Sequence, residues 1–92
     1  MNIELDILDS LADDFESIEQ IKKFLTNIGY TITDNEINKV LQNMLNDELI
    51  YINEIISDKE YTWYGMAQKG KEIWDNTEWN PKDGWIVSTG DS

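Results

Sequence analysis

Three features of this 92-residue chain predict a single α+β domain of three helices, a two-stranded β-hairpin and a fourth helix. Apolar residues recur at helical spacing through three successive segments up to residue 47. The period then changes to a β-branched and aromatic run at "LIYINEII", and it returns to helical spacing at "AQKGKEIWDNTEW". Length agrees with one domain, because a chain of this size buries roughly 60 to 65% of its unfolded surface and builds one compact core. Hydrophobic residues at 40% and aromatics at 11% are enough for that core and too many for a disordered polyanion.

The elements follow in order. Ile3, Ile7, Leu8, Leu11 and Phe15 lay one apolar stripe along a first helix at about residues 3 to 13. Ser17 and Gln20 have capping-box spacing, in which each side chain satisfies a backbone N–H at a helix start; Ile18, Ile21, Phe24, Leu25 and Ile28 follow, and Gly29 supplies a stop. Thr33 and Glu36 repeat the box. Ile37, Val40, Leu41, Met44 and Leu45 then give the cleanest amphipathic pattern in the chain, a third helix running to about Asp47. "LIYINEII", the polar turn "SDKE" and "YTWYGM" make residues 49 to 66 a hairpin. A fourth helix places Ala67, Gly70, Ile73, Trp74 and Thr77 on roughly one face until Pro81 forbids continuation. A turn at "PKDG", an apolar patch from Trp85 to Val87 and a polar end "STGDS" finish the chain, so residues 1–79 are expected as the domain and 80–92 as a C-terminal tail.

Charge is the strongest anomaly. Nineteen acids face seven bases, all of them lysine. Glu4, Asp6, Asp9, Asp13, Asp14, Glu16 and Glu19 all precede the first lysine, Lys22. Phosphate backbones and anionic membranes repel such a surface. The absence of cysteine and histidine removes disulfides, a thiolate nucleophile, sulfur-ligated zinc and the commonest general base. No nucleophile has a base beside it, and no phosphate-binding or calcium-binding loop is present, so neither catalysis nor a cofactor is expected. The opening "MNIELDILDS" carries acids where a secretory signal carries Lys or Arg, and no apolar run reaches the roughly 18 residues of a membrane span. A cytoplasmic, soluble protein is the expectation.

The order helix, helix, helix, two strands, helix resembles that of the winged helix-turn-helix superfamily. "YGMAQKGKEIW", residues 64 to 74, is similar to the Y-x-L-T-x-x-G-x-x-x-L signature that closes the wing in MarR- and PadR-like regulators. "TDNEINKVLQNMLNDELIYI" is similar to a recognition helix leading into the first wing strand. The match departs from the signature at Ala67, where threonine is usual, and at Met66, where leucine is. The resemblance implies a close helix approach at Gly70, an anchor at Ile73 or Trp74, and a third helix and wing positioned to meet DNA.

Composition opposes that use of the surface. From Asp34 to Glu48 the chain carries Asp34, Glu36, Asp47 and Glu48 against Lys39, and the wing carries Glu54, Asp58 and Glu60 around Lys59. Phosphate contacts need the opposite sign. The expected function is therefore protein binding: an acidic antagonist of a basic partner, such as an immunity protein for a nuclease toxin or a DNA-mimicking inhibitor. Glu4, Asp6, Asp9, Asp13, Asp14, Glu36 and Asp47 would supply the field that steers the encounter, with Trp79 and Trp85 as anchors or as part of a homodimer built from C-terminal elements. The alternative is a dimeric DNA-binding regulator. Its base-reading residues would be Asn35, Asn38, Gln42 and Asn46, whose amides can pair with adenine, with Lys39 and Lys59 on the backbone. Solvation alone accounts better for exposed amides on a helix facing water, because amide readout without backbone anchoring has little affinity to work with.

Overall fold

The computed structural model describes residues 2–80 and 84–87, with 78–80 and 84–87 described by backbone only. It is a small mixed α/β domain with four helices and a three-stranded antiparallel sheet in the order β1-β3-β2, followed by a separate two-stranded pair.

Helix α1, Ile3–Ser10, starts at Asn2, whose side-chain oxygen accepts from the Leu5 N–H at 3.2 Å. It ends before the expected residue 13. The Ser10 hydroxyl donates to the Ile7 carbonyl at 2.6 Å and the Asp14 carboxylate accepts from the Phe15 N–H at 2.8 Å. Such local bonds compete with the helix ladder and turn the chain into extended backbone. Strand β1, Glu16–Ser17, pairs with the later strand β3, Glu16 opposite Tyr64 and Ser17 opposite Trp63. The hairpin expected as two-stranded is thus three-stranded. Two residues with no apolar alternation carry no strand signal of their own; the pairing comes from tertiary contact.

Ser17 also caps α2, Ile18–Asn27, with the full capping box to Gln20. Helix α3, Asp34–Asn46, opens with the corresponding box from Thr33 to Glu36. Both helices close with the same pair of bonds. Gly29, at φ 112°, donates to Thr26 while Tyr30 donates to Leu25; Glu48, at φ 61°, donates to Leu45 while Leu49 donates to Met44. Glycine takes a positive φ without penalty, whereas Glu48 holds it against the clash of its Cβ.

Strands β2, Ile50–Ile52, and β3, Trp63–Met66, pair with Tyr51 opposite Gly65. They are shorter than the expected 49–66 hairpin, because the intervening loop is tied by its own polar residues. Asn53 and Asp58 accept loop N–H groups, and the Trp63 N–H donates to the Ser57 hydroxyl at 2.9 Å. Helix α4, Gln68–Asp75, follows at once from Ala67, which offers no side-chain cap. A Cβ at Gly70 would lie 2.1 Å from the Leu49 carbonyl oxygen and 2.9 Å from Leu8, so only glycine permits this crossing.

Helix α4 stops well short of Pro81. Asn76 and Thr77 donate side-chain hydrogen bonds to the Glu72 and Trp74 carbonyls, both at 2.8 Å, closing the last turn. Thr77–Asn80 then forms β4, paired with β5, Gly84–Val87, across the point where the sequence suggests a change from domain to tail. Residues 81–83 of the expected "PKDG" turn and the end "STGDS" lie outside the described residues. The core gathers Leu5, Ile7, Leu8 and Leu11 of the first helical segment with Ile21, Leu25, Ile37, Leu41, Met44, Leu49, Ile50 and Tyr64. Trp74 packs against it and Ile73 faces outward, which resolves the anchor of α4 in favour of the tryptophan. Among the described residues, no helix is long and apolar enough to cross a membrane.

Candidate functional site

Helix α3 buries Ile37, Leu41 and Met44 and therefore turns Asn35, Asn38, Lys39, Gln42 and Asn46 to solvent. The amide stripe is thus accessible, and Gln42 donates to Asn46 at 3.4 Å. Its surroundings are acidic. Asp34 pairs with Lys22 at 2.5 Å, while Glu36, Asp47 and Glu48 are exposed. The backbone N–H and the hydroxyl of Thr33 hold the Glu36 carboxyl below the usual carboxylate range, so it stays ionised.

The loop between β2 and β3 combines acids with bare apolar surface. Ile55 is 93% exposed, and Ile52, Ile56, Tyr51 and Tyr61 are each around two-fifths exposed. Glu54, Asp58, Lys59 and Glu60 are exposed among them. Asp58 accepts from the Tyr61 and Glu60 N–H groups, which lower its pKa and keep it charged. Sequence alone marks residues 49 to 56 as one strand, which would alternate its side chains. The early turn at Asn53 is what leaves the isoleucines exposed.

The acids of α1 divide sharply. Asp6 is buried and accepts the Tyr30 hydroxyl proton, and burial together with that bond pushes the Tyr30 pKa well above its ordinary value. Asp9 is half-buried and accepts from the Trp74 indole N–H at 3.2 Å. Glu4 is half-buried, and Asp13 and Asp14, beyond the end of the helix, are exposed. Neither Asp6 nor Asp9 projects freely into solvent as a steering charge should. Trp79 and Trp85 are brought directly opposite each other in the β4–β5 register; their side chains lie outside the described residues.

One feature escaped the sequence. Phe15 and Tyr51 meet edge to face, centroids 6.3 Å apart, over Gly65, where a Cβ would lie 2.8 Å from each ring. A glycine inside a strand is the available signal for such a close approach. Among the described residues, no group of three or more carboxylates is arranged to hold a metal ion. No protein-family model matches the chain, and neither a curated protein nor a solved structure matches it.

Proposed function

We propose that this chain is an acidic, non-enzymatic winged-helix protein that acts by binding a basic protein partner, in the manner of an immunity protein for a nuclease-like toxin or a DNA-mimicking inhibitor. The element order supports the winged-helix part: three helices, a strand pair and a helix whose required glycine presses on Leu49, just before β2, and on Leu8 of α1, with a short strand between the first two helices added to the sheet. The observation that carries the functional part is the β2–β3 loop. Where a DNA-binding wing presents cations to phosphate, this one presents Ile52, Ile55, Ile56 and Tyr61 among three carboxylates and one lysine. Exposed isoleucine and tyrosine side chains with a charged rim suit a protein interface, the apolar groups supplying affinity and the carboxylates steering association.

The test is capture of a basic partner by the full chain, identified by mass. Release as salt rises, and loss of capture in Ile55→Asp with Ile56→Asp, are the expected results. A partner whose binding ignores both changes contradicts the proposal.

A second reading, a dimeric DNA-binding regulator, draws on the exposed Asn35, Asn38, Gln42 and Asn46 stripe with Lys39 beside it. Recovery of a consensus site from a random duplex pool, abolished by Asn38→Ala with Gln42→Ala, would establish that reading in place of the first.

A further inference from the structure

After α1 the chain passes through Ala12, Asp13 and Asp14 to Phe15, whose ring meets Tyr51 over the bare backbone of Gly65. This aromatic ledge borders a cleft of about 350 Å³ lined by Leu11, Phe15, Tyr51, Met66 and Trp74 together with the exposed carboxylates of Asp13 and Asp14. Lys71 also lines it, but its ammonium is paired with Asp75 at 2.8 Å. On the other side of Phe15 a second cleft is lined by Asp14, Glu16, Gln20, Ile56 and Trp63. Burial, and then the charge of Asp14, raise the Glu16 pKa.

We infer that the first cleft is a subsite for a lysine or arginine side chain of the basic partner; this rests on the protein-binding reading above. A cationic side chain joins an apolar stem to a charged head. The stem matches Leu11, Met66 and the rings. The head is attracted both by aromatic faces within about 6 Å and by the Asp13 and Asp14 carboxylates. An anionic ligand would meet repulsion, and a neutral one would leave the carboxylates without a counter-charge. The walls are set before any ligand arrives: Trp74 is held through Asp9, and Phe15 by its contact with Tyr51.

The experiment titrates the isotope-labelled full chain with a short arginine-containing peptide at low ionic strength, alongside the same peptide carrying neutral citrulline in place of arginine. The arginine peptide should move the backbone signals of residues 12–15 and Gly65 and the Trp74 indole N–H together, and the citrulline peptide should not. Asp13→Asn with Asp14→Asn should weaken binding roughly twofold to thirtyfold, whereas Glu36→Gln with Asp47→Asn should leave these shifts in place. Shifts confined to α3 or to residues 53–62 would overturn the subsite and leave the basic-partner reading standing. An equal response to citrulline would overturn the requirement for a cation. No response to the arginine peptide anywhere on the protein would overturn both the subsite and the reading beneath it.

Discussion

Carboxylates at the start of the chain and carboxylates around α3 belong to the same acidic excess, yet the fold uses them differently. Asp6 and Asp9 point inward, one to the Tyr30 hydroxyl and the other to the Trp74 indole, tying α1 to the loop after α2 and to α4. Glu36, Asp47, Asp58 and Glu60 stay exposed, beside a loop that leaves isoleucines in water. Net charge alone therefore overstates the field available to a partner. Part of it is structural, and among the described residues the exposed carboxylates include those of α3, the β2–β3 loop, the Asp13–Asp14 turn and α4.

The contrast is most easily broken at the inner region. Gly70→Leu should unfold the protein or cost more than about 4 kcal/mol, because the Leu49 carbonyl oxygen occupies the space a side chain needs. Chemical denaturation measures it. A loss below about 1 kcal/mol would mean that α4 does not press on Leu49 at all.

Tyr30→Phe removes the donor to buried Asp6 and should cost about 1 to 3 kcal/mol by the same measurement. Its pH dependence gives a sign. The folded chain holds the Tyr30 proton more tightly than the ordinary value of 10.0. The contribution is therefore complete below that value and is lost as pH rises through the folded pKa. Tyr64, raised by burial, acts in the same direction. Wild-type stability should fall at strongly alkaline pH, and Tyr30→Phe should fall less steeply. A steeper fall in the variant contradicts the assignment.

Smaller effects sharpen the comparison from the outer side. Glu48→Gly should stabilise by about 0.5 to 1 kcal/mol, since the position closes α3 at a positive φ that glycine adopts freely. A decrease in melting temperature would show that the Glu48 side chain has a role of its own. Asp47→Asn with Glu36→Gln should change stability least, because Asp47 is exposed and a glutamine at 36 can still accept the Thr33 N–H of the capping box, while slowing association with a basic partner at low salt. Stopped-flow rates across a salt series check this; unchanged rates would remove α3 from the interface.

Much of the architecture was legible because it is local. Ser17 with Gln20 and Thr33 with Glu36 announce two helix starts, and Gly29 announces a stop, through side chains acting on backbone within a few residues. What was not legible depends on distant partners. Strand β1 exists only against Tyr64 and Trp63, β4 only against β5, and the early end of β2 follows from the Asn53 turn. The same division holds for the candidate site. The polar face of α3 follows from helical periodicity, whereas the burial of Asp6 required knowing that Tyr30, from the loop between α2 and α3, meets α1. Phe15 lay on the predicted stripe of α1, but the helix ends at Ser10, and the chain turns through Asp14 and leaves the Phe15 ring on the sheet.

Retardation of random-sequence duplex DNA by the full chain at about 50 mM salt tests the central claim most directly, since nonspecific affinity is strongest there and depends on phosphate neutralisation. No retardation is expected at protein concentrations up to the order of 100 μM. A complex that forms in that range and dissolves steeply as salt rises would mean that lysines reach phosphate despite the acids around them, and the protein-binding assignment would be wrong.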